Sequence, residues 1–229
     1  MTPKHHIVFL TGAGISQESG ISTFRDANGL WNNHKLEEVA SPEGFEKNPQ
    51  LVLDFYNARR RQLDEVNPNE AHHLIAQLET KYNVTIITQN IDDLHERAGS
   101  TNVLHLHGEL RKSRSSKNPK LIYDCNQDIK LGDLASDGNQ LRPHIVWFGE
   151  AVTEIEKAIA ITQSADLFVI VGTSMVVHPA ASLLLAVPVD VQTVYIDNNP
   201  DVEEGINLLV IKDKATAGVK QLVEVYLPY

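Results

Sequence analysis

Three polar residues, Gln89, Asn90 and Asp92, follow directly after the apolar run 83–88. Such a run is typical of a buried strand, and polar groups at its end must be hydrogen-bonded or cost about 1–3 kcal/mol each. Asn and Asp are also favoured in turns, so capping of a turn is the alternative. We favour a ligand-binding role, because a glycine loop is expected on the same face of the sheet.

The glycine loop is "TGAG" at residues 11–14, directly after the apolar run 6–10. Gly12 and Gly14 would allow backbone N–H groups to approach a pyrophosphate. The alternative is a tight turn that needs glycine for steric reasons. The third glycine of a dehydrogenase fingerprint is misplaced, and no acidic residue closes a second strand about 20 positions on. The loop therefore indicates nucleotide binding without the features of hydride transfer.

His105 and His107 lie two apart in "LHLHGEL", so they share one side of a predicted strand that ends at Gly108. A strand histidine is more often a satisfied core residue than a catalyst. His107 stands at the strand end, where a general base with a pKa near neutrality would be useful. Together with "VGTS" at 171–174, another strand end suited to phosphate or ribose contact, these residues indicate a nucleotide-binding α/β enzyme.

Apolar, β-branched runs alternate with helical patterns, which predicts an α/β fold built on a doubly wound parallel sheet. The predicted strands are 6–10, 83–88, 102–107, 143–148, 166–172, 191–197 and 206–212. Helices are predicted within 41–66, 67–82, 153–165 and 179–187, the first with Ser41 as its cap and Pro42 in its first turn.

Two stretches interrupt this alternation. Residues 32–80 carry more helix than one crossover needs, and residues 111–140 are polar, turn-rich and poor in strands. We interpret both as insertions that form a small second lobe. The predicted Rossmann-type lobe comprises residues 1–31, 81–110 and 141–229. Ligands of open α/β sheets bind at the carboxyl ends of the strands, so a cleft between the lobes is the expected site.

The charge balance and the cysteine count exclude several classes of function. Thirty acidic residues against twenty basic ones give a net charge of −10, which disfavours binding to nucleic acid or acidic membranes. There is no leader pattern, and no apolar run approaches the roughly 20 residues that span a bilayer, so a cytoplasmic location is expected. The single Cys125 excludes a cysteine-cluster zinc site. The oligomeric state is not predicted, and a monomer is compatible with the sequence.

Six motifs in order resemble those of the sirtuins, which are NAD-dependent protein-lysine deacylases. The motifs are "GAGIS" with "GISTFRDANGLW", "TQNIDDLH", "LHGEL", "RPHIVWFGE", "GTS" and "YIDNN". The resemblance runs through nearly the whole chain. It implies that NAD lies between the two lobes and is consumed as a co-substrate, which would account for the missing dehydrogenase features.

The resemblance also implies roles for individual residues. The acyl-lysine oxygen would attack the ribose carbon that bears nicotinamide, with Asn90 ordering the reacting groups and Asp92 orienting the carboxamide. His107 would then act as general base on the ribose hydroxyls, giving free lysine, nicotinamide and O-acyl-ADP-ribose. Phe24 would shield the reactive sugar face. The residues implied to contact NAD are Gly12, Ala13, Gly14, Phe24, Arg25, Gln89, Asn90, Asp92, Gly172, Thr173, Ser174, Asn198 and Ala215.

The implied partners are acylated lysine side chains of proteins. The segment Val146, Trp147, Phe148, Gly149 and Glu150 resembles the strand on which a substrate peptide lies by β-augmentation. The second rail of this groove would be Met175 and Val176.

The acyl group is suggested by Tyr56 and Arg59, which lie three apart and share a helix face. The spacing matches the Tyr-x-x-Arg pair of sirtuins that remove succinyl and malonyl groups. A guanidinium can clamp the distal carboxylate bidentately, and Ala27 is small where a longer acyl chain needs room. The alternative is a solvated basic face, since Arg59 to Arg61 form a charge run. We expect desuccinylation alongside deacetylation.

One family feature is missing from this chain. Sirtuins usually hold a structural zinc with two Cys-x-x-Cys pairs, and here Ser115 and Asn118 stand at the first pair and Ser136 and Asn139 at the second. Hydroxyl and amide groups do not replace thiolates at a tetrahedral zinc. We expect a metal-free subdomain that is closed by turns and side-chain hydrogen bonds.

Two other functions stay open at this point. An NAD-consuming ADP-ribosyltransferase or glycohydrolase would share the nucleotide half but would need no peptide groove. A catalytically silent NAD-binding sensor would result if the missing zinc left the small lobe disordered. Nicotinamide release that depends on an acylated peptide distinguishes the deacylase from both.

Overall fold

The computed structural model describes residues 4–22, 30–31, 34–174, 180–200 and 202–227. In chain order the strands are β1 (His6–Thr11), β2 (Leu30–Trp31), β3 (His34–Lys35), β4 (Asn83–Thr88), β5 (Val103–His105), β6 (Gly108–Ser115), β7 (Ile122–Asp124), β8 (Leu141–Ile145), β9 (Leu167–Val171), β10 (Gln192–Ile196) and β11 (Leu208–Ile211). The α-helices are α1 (Ala13–Gln17), α2 (Leu36–Val39), α3 (Pro42–Lys47), α4 (Pro49–Glu65), α5 (Glu70–Leu78), α6 (Leu94–Ala98), α7 (Ile155–Gln163) and α8 (Ala215–Gln221). A 3-10 helix spans Ala180–Ala186, and a π-helical turn spans Leu222–Tyr226.

Six strands form a parallel sheet in the order β11-β10-β9-β1-β4-β5. Counted among themselves in chain order, they follow the sequence 3-2-1-4-5-6 that is typical of dinucleotide-binding sheets. The order reverses between β1 and β9, and a ligand crevice is expected at the carboxyl ends of these two strands. The predicted α/β class with a doubly wound parallel sheet is confirmed.

Both faces of this sheet are covered, as its continuous apolar strands require. Ile7 and Phe9 of β1 pack on one face with residues of α5 and α8. Val8 and Leu10 pack on the opposite face with α7. All four side chains are at most 1% exposed, and burying each stabilises the fold by about 1.5–3 kcal/mol.

Six of the seven predicted strands belong to this sheet, with ends displaced by no more than two residues. The strand predicted at 143–148 is wrong in its extent and its sheet. It forms β8, which ends at Ile145 and pairs antiparallel with β6 in a separate sheet of order β7-β6-β8. The chain turns there because Gly149 adopts a φ of +90°. The Glu150 carboxylate stabilises this turn by accepting the Trp147 N–H at 2.9 Å.

The segment 111–140 was expected to be poor in strands, and this expectation is wrong. It contains most of β6 and all of β7. Along β6 the buried positions include Leu110, Ser113 and Ser115, so this strand buries hydroxyl groups as well as an apolar side chain. A hydropathy pattern cannot reveal a strand whose buried side chains are partly polar.

The segment 41–66 forms two helices, α3 and α4, instead of one. Ser41 caps α3 as predicted, and its Oγ accepts the Gly44 N–H at 2.9 Å. Asn48 interrupts the helix and caps α4, since its Oδ1 accepts the Leu51 N–H at 3.2 Å and Pro49 follows at the first helical position. Among the described residues there is no helix that is both long and apolar enough to cross a membrane.

Candidate active site

The loops that follow β1 and β9 cross in direct contact where the strand order reverses. The Gly12 N–H donates to the Val171 carbonyl at 3.0 Å, and the Gly14 N–H donates to the Gly172 carbonyl at 2.8 Å. A Cβ on Gly12 would lie 2.6 Å from Thr173 Cβ, and one on Gly14 would lie 2.6 Å from Gly172 Cα. This crossing alone explains the glycines, so they are not by themselves a sign of a ligand.

Asn90 and Asp92 extend from the end of β4 towards the loop after β1. Asn90 Nδ2 donates to the Gly12 carbonyl at 3.1 Å and to Ser16 Oγ at 3.2 Å. The Ser16 hydroxyl in turn donates to Asp92 Oδ2 at 2.9 Å. All three side chains are buried, so the network presents a fixed arrangement of amide, hydroxyl and carboxyl groups.

Gln89 joins the same segment to the loop after β9. Its Nε2 donates to Thr173 Oγ1 at 2.9 Å, and the Thr173 carbonyl accepts the Tyr195 hydroxyl at 2.9 Å. Ser174 follows and is half-buried. The sequence-predicted residues Gly12, Gly14, Gln89, Asn90, Asp92, Gly172 and Thr173 are therefore brought together at the carboxyl edge of the sheet.

The Asp92 carboxyl group has an unusually high pKa. Burial raises its pKa to about 6, although the Leu94 N–H and the Ser16 hydroxyl both stabilise the charged form. A carboxyl with such a pKa can hold or release a proton near neutrality. It could bind a ligand amide either as acceptor or as donor.

His107 lies just beyond β5, beside Gln89. Its Nδ1 is 3.0 Å from the Gln89 carbonyl oxygen. A carbonyl can only accept, so Nδ1 carries the proton and the lone pair is on Nε2. Burial lowers the pKa of His107, and the hydrogen bond to Gln89 offsets this only in part. His107 is therefore neutral at physiological pH and can act as a base.

His105 lies on the same side of the strand end as His107 but has different partners. Its Nδ1 is 3.0 Å from the Asn90 carbonyl, and its Nε2 is 2.8 Å from Glu96 Oε1. Burial disfavours the imidazolium, but the hydrogen bond and the charge of Glu96 outweigh it and raise the pKa of His105.

Buried hydroxyl groups, which the sequence pattern did not predict, hold this segment through hydrogen bonds. The Thr11 hydroxyl donates to Thr88 Oγ1 at 2.9 Å and accepts from His95 Nε2 at 3.0 Å. Thr88 Oγ1 also accepts the Asn90 N–H at 3.0 Å. The available signal was a threonine at the last position of two apolar strands, which pair in register as Thr11 and Thr88.

Arg59 lies beside the same site, on α4. It lines a small cavity of about 50 Å³ together with Ile91 and Asp92. Its guanidinium stacks on the Phe55 ring at 3.4 Å and donates to the Phe55 carbonyl at 3.1 Å. Arg59 and Arg60 are only 8% and 1% exposed, so the alternative of a solvated basic face is wrong.

Tyr56 is fully buried one helical turn before Arg60, on the same helix. Its hydroxyl oxygen accepts the Trp147 indole N–H at 3.0 Å. Burial raises the pKa of Tyr56 well above its ordinary value, so the phenol keeps its own proton as a donor.

The segment Val146–Glu150 forms a turn, and its side chains have different environments. Trp147 is buried in the core beneath α3 and α4, whereas Phe148 is 52% exposed. Glu150 is held by Arg142 at 2.7 Å and Arg114 at 3.0 Å. The Glu150 carboxylate thus fixes the turn.

The structure also places three further predicted residues. Ala13 is the first residue of α1. Asn198 is exposed beyond β10, and Ala215 begins α8 with its side chain buried in the core. Phe24, Arg25, Ala27, Met175 and Val176 lie outside the described residues.

The positions expected for the zinc cysteines face one another across two turns. The Ser115 hydroxyl donates to Asp137 Oδ2 at 2.7 Å and accepts the Lys117 and Asn118 N–H groups, each at 3.1 Å. Ser136 Oγ is 2.8 Å from the Tyr123 hydroxyl. Among the described residues, no group of three His, Cys, Asp or Glu could hold a metal ion. The donor set does not fit a structural zinc.

The chain is similar to known proteins along most of its length. A family model described as "Sir2 family" matches residues 12–179. An NAD-dependent protein deacylase of Bacteroides thetaiotaomicron is 52% identical over 97% of this chain and 98% of its own length. One of Helicobacter pylori is 60% identical over 84% of each chain. A crystal structure of a Sir2 homologue in complex with NAD has a TM-score of 0.84 at 38% identity, covering 96% of this chain and 89% of that one. With its dinucleotide-type sheet and these matches along most of its length, the chain belongs to the Sir2 family.

Proposed function

We infer that this chain is an NAD-dependent protein-lysine deacylase of the sirtuin type. The observation that carries the inference is the neutral His107 beside the Gln89–Asn90–Asp92 segment, at the point where a dinucleotide-type sheet reverses its strand order. The names and the identity of the relatives from Bacteroides thetaiotaomicron and Helicobacter pylori support it.

The residues of the site have separable tasks in this reaction. NAD, bound as co-substrate, supplies the ribose carbon that receives the acyl oxygen. His107 Nε2 removes a proton from a ribose hydroxyl, and its Nδ1–H bond to Gln89 holds the ring in the required tautomer. Asn90, fixed by Gly12 and Ser16, orders the reacting groups. Asp92 holds the carboxamide of the leaving nicotinamide.

The decisive experiment is incubation with NAD and an acetylated or succinylated peptide, followed by mass analysis. Deacylated peptide, nicotinamide and O-acyl-ADP-ribose in equal amounts are the expected products. Nicotinamide release without peptide, or ADP-ribose on a protein, would identify an ADP-ribosyltransferase or glycohydrolase instead. No turnover with retained NAD binding would identify a sensor.

We further propose that the enzyme removes succinyl and malonyl groups as well as acetyl groups. The buried guanidinium of Arg59 lines a cavity together with Asp92, and this supports the proposal, because a guanidinium can bind the carboxylate at the end of an acyl chain bidentately. The protonated phenol of Tyr56 could add a hydrogen bond. Acylated lysines of proteins would bind between the turn Val146–Glu150 and the segment that contains Met175 and Val176.

We propose that the small lobe, built from 32–80 and 111–140, works without zinc. Support comes from the serine, asparagine and aspartate hydrogen bonds that close the turns at 115–118 and 136–139. Metal analysis of the pure protein should give substoichiometric zinc, and one equivalent of bound zinc would refute the proposal.

A further inference from the structure

Two histidines hold two successive carbonyl groups of the segment that carries Asn90. His107 Nδ1 bonds the Gln89 carbonyl, and His105 Nδ1 bonds the Asn90 carbonyl, each at 3.0 Å. The side chains of Gln89 and Asn90 point the other way, to Thr173 and Gly12. The backbone of this segment is therefore held between the histidines and the two crossing loops.

His105 is anchored at both ring nitrogens. Its Nε2 lies 2.8 Å from Glu96 Oε1 on α6, and its side chain is 8% exposed against 41% for Glu96. The Asn90 carbonyl and the ionised Glu96 carboxylate are both acceptors, so this geometry favours the positively charged imidazolium, which donates from both nitrogens. Hydrogen bonds from a charged donor are roughly twice as strong as neutral ones.

Titratable groups on α6, on β6 and in the loop after β4 influence His105 electrostatically. Glu96 and His95 lie on α6, Asp92 lies in the loop after β4, and Glu109 lies on β6, where Lys112 pairs with it at 2.8 Å. Burial opposes the charge of His105, whereas His95 is itself kept neutral because burial lowers its pKa well below the ordinary value. The carboxylates of Glu96 and Glu109 favour it, with Glu96 in direct contact.

On the basis of the proposed deacylase function, we propose that Glu96 and His105 form a charged dyad that positions Asn90 for the acyl-dependent step. Glu96 orients the imidazolium, the imidazolium holds the Asn90 carbonyl, and the Asn90 amide keeps its contacts with Gly12 and Ser16. Both are positioning residues, because they act through Asn90 and not on the substrates. The dyad should affect kcat more than the KM for NAD.

The test is a double-mutant cycle of Glu96→Gln and His105→Gln, with kcat and KM for NAD measured from pH 6 to 9 on an acetylated peptide. Glu96→Gln should lower kcat about tenfold at pH 8 and change KM less than twofold. The alkaline limb of this variant's kcat–pH profile should move to lower pH, because His105 loses its proton more easily without the Glu96 charge. In the His105→Gln background, Glu96→Gln should not lower kcat any further. The control is Glu156→Gln on α7, an exposed carboxylate, which should match the wild type.

Each alternative result contradicts either the dyad alone or the proposed function together with the dyad. A wild-type pH profile for Glu96→Gln, or independent losses in the double variant, overturns the dyad and leaves the deacylase intact. A wild type that releases no nicotinamide overturns the proposed function, and the dyad with it. If a variant fails to fold, the imidazole NMR titration of wild-type His105 decides. An apparent pKa above 6.5 supports the dyad, and one below 6.5 overturns it.

Discussion

Asn90 is held by four hydrogen bonds to four residues on three segments of the chain. Thr88 Oγ1 accepts its backbone N–H, His105 binds its carbonyl, and its side-chain amide donates to Gly12 and Ser16. A side chain held at both its backbone and its amide group has little freedom to reorient, which is what a residue that orders two substrates requires. The neighbouring base, His107, is oriented by the same backbone.

We expect His107→Ala to lower the steady-state formation of deacylated peptide by about 100-fold or more, because His107 acts after nicotinamide has left and general base catalysis contributes about 10²–10⁴-fold. NAD binding, measured by calorimetry, should persist. Since burial lowers the pKa of His107, the acid limb of the wild-type pH profile should lie below the ordinary pKa of histidine. The exposed histidine His73 provides the control, and His73→Ala should behave as the wild type. Full activity in His107→Ala would remove it from the mechanism.

Arg59→Met should reduce kcat/KM for a succinylated peptide by about 10- to 100-fold and for an acetylated peptide by less than threefold. The reason is that hydrogen bonds to a charged group contribute about 1.5–3 kcal/mol, and only the succinyl group has a carboxylate to receive them. Arg61→Met is the matched control, since Arg61 is exposed and pairs with Asp128. Equal losses on both peptides would contradict the clamp.

At the level of elements, the two turns that carry Ser115 and Ser136 show how a small module can close without a metal. Ser115 Oγ accepts two backbone N–H groups of its own turn and donates across to Asp137 in the second turn. The Tyr123 hydroxyl closes the second turn by accepting the Ser136 N–H at 3.0 Å. These bonds join β6 to the chain that leads into β8.

Ser115→Ala should lower the free energy of unfolding by about 1–3 kcal/mol, because two part-buried N–H donors lose their acceptor and Asp137 loses its donor. Urea unfolding of the wild type and the variant measures this loss. A chelator should leave the unfolding midpoint of the wild type unchanged. The neighbouring half-buried Ser116, changed to Ala, should cost less than 0.5 kcal/mol, or roughly the effect of an ordinary surface substitution. A large stabilising effect of added zinc would argue against this account.

On the scale of the whole molecule, a buried histidine pair links the helical layer to the sheet. His72 on α5 and His95 on α6 make an edge-to-face contact with ring centroids 4.8 Å apart. His72 Nδ1 lies 3.0 Å from Asn69 Oδ1, and His95 reaches Thr11 at the end of β1. Both residues are at most 2% exposed, so charging either ring inside the protein is unfavourable.

The stability of the fold should therefore fall between pH 7 and pH 5. Burial lowers the pKa of His72 to about 4 and lowers that of His95 well below its ordinary value, whereas the unfolded chain takes up these protons near pH 6.5. The unfolded state binds more protons in this window, and His72 alone accounts for about 2 kcal/mol of lost stability. Asp92, whose pKa is raised to about 6, has the opposite effect and offsets part of the loss. Urea unfolding at both pH values should show a smaller difference for His72→Gln than for the wild type, and an equal difference would exclude His72 as the cause.

Much of the architecture could be predicted from local pattern. The runs at 6–10 and 83–88 are continuous and apolar, and only a strand covered on both faces uses such a run in full. The break at Asn48 and the strand β6 could not be predicted from hydropathy. Asn48 ends one helix and caps the next within a continuous helical pattern, and β6 buries the hydroxyls of Ser113 and Ser115.

The sequence by itself determined the family, the parallel sheet and the polar residues that gather at its edge, because ordered motifs and apolar runs are local properties of the chain. Only the tertiary structure decided which of these residues are charged, oriented or buried. Gln89 finds its partner 84 positions away, and His105 and His107 differ because only the first is next to Glu96. Arg59 and Arg60 lie within a run of three basic residues, yet packing buries both. Charge state and hydrogen bonding depend on neighbours that the fold brings together.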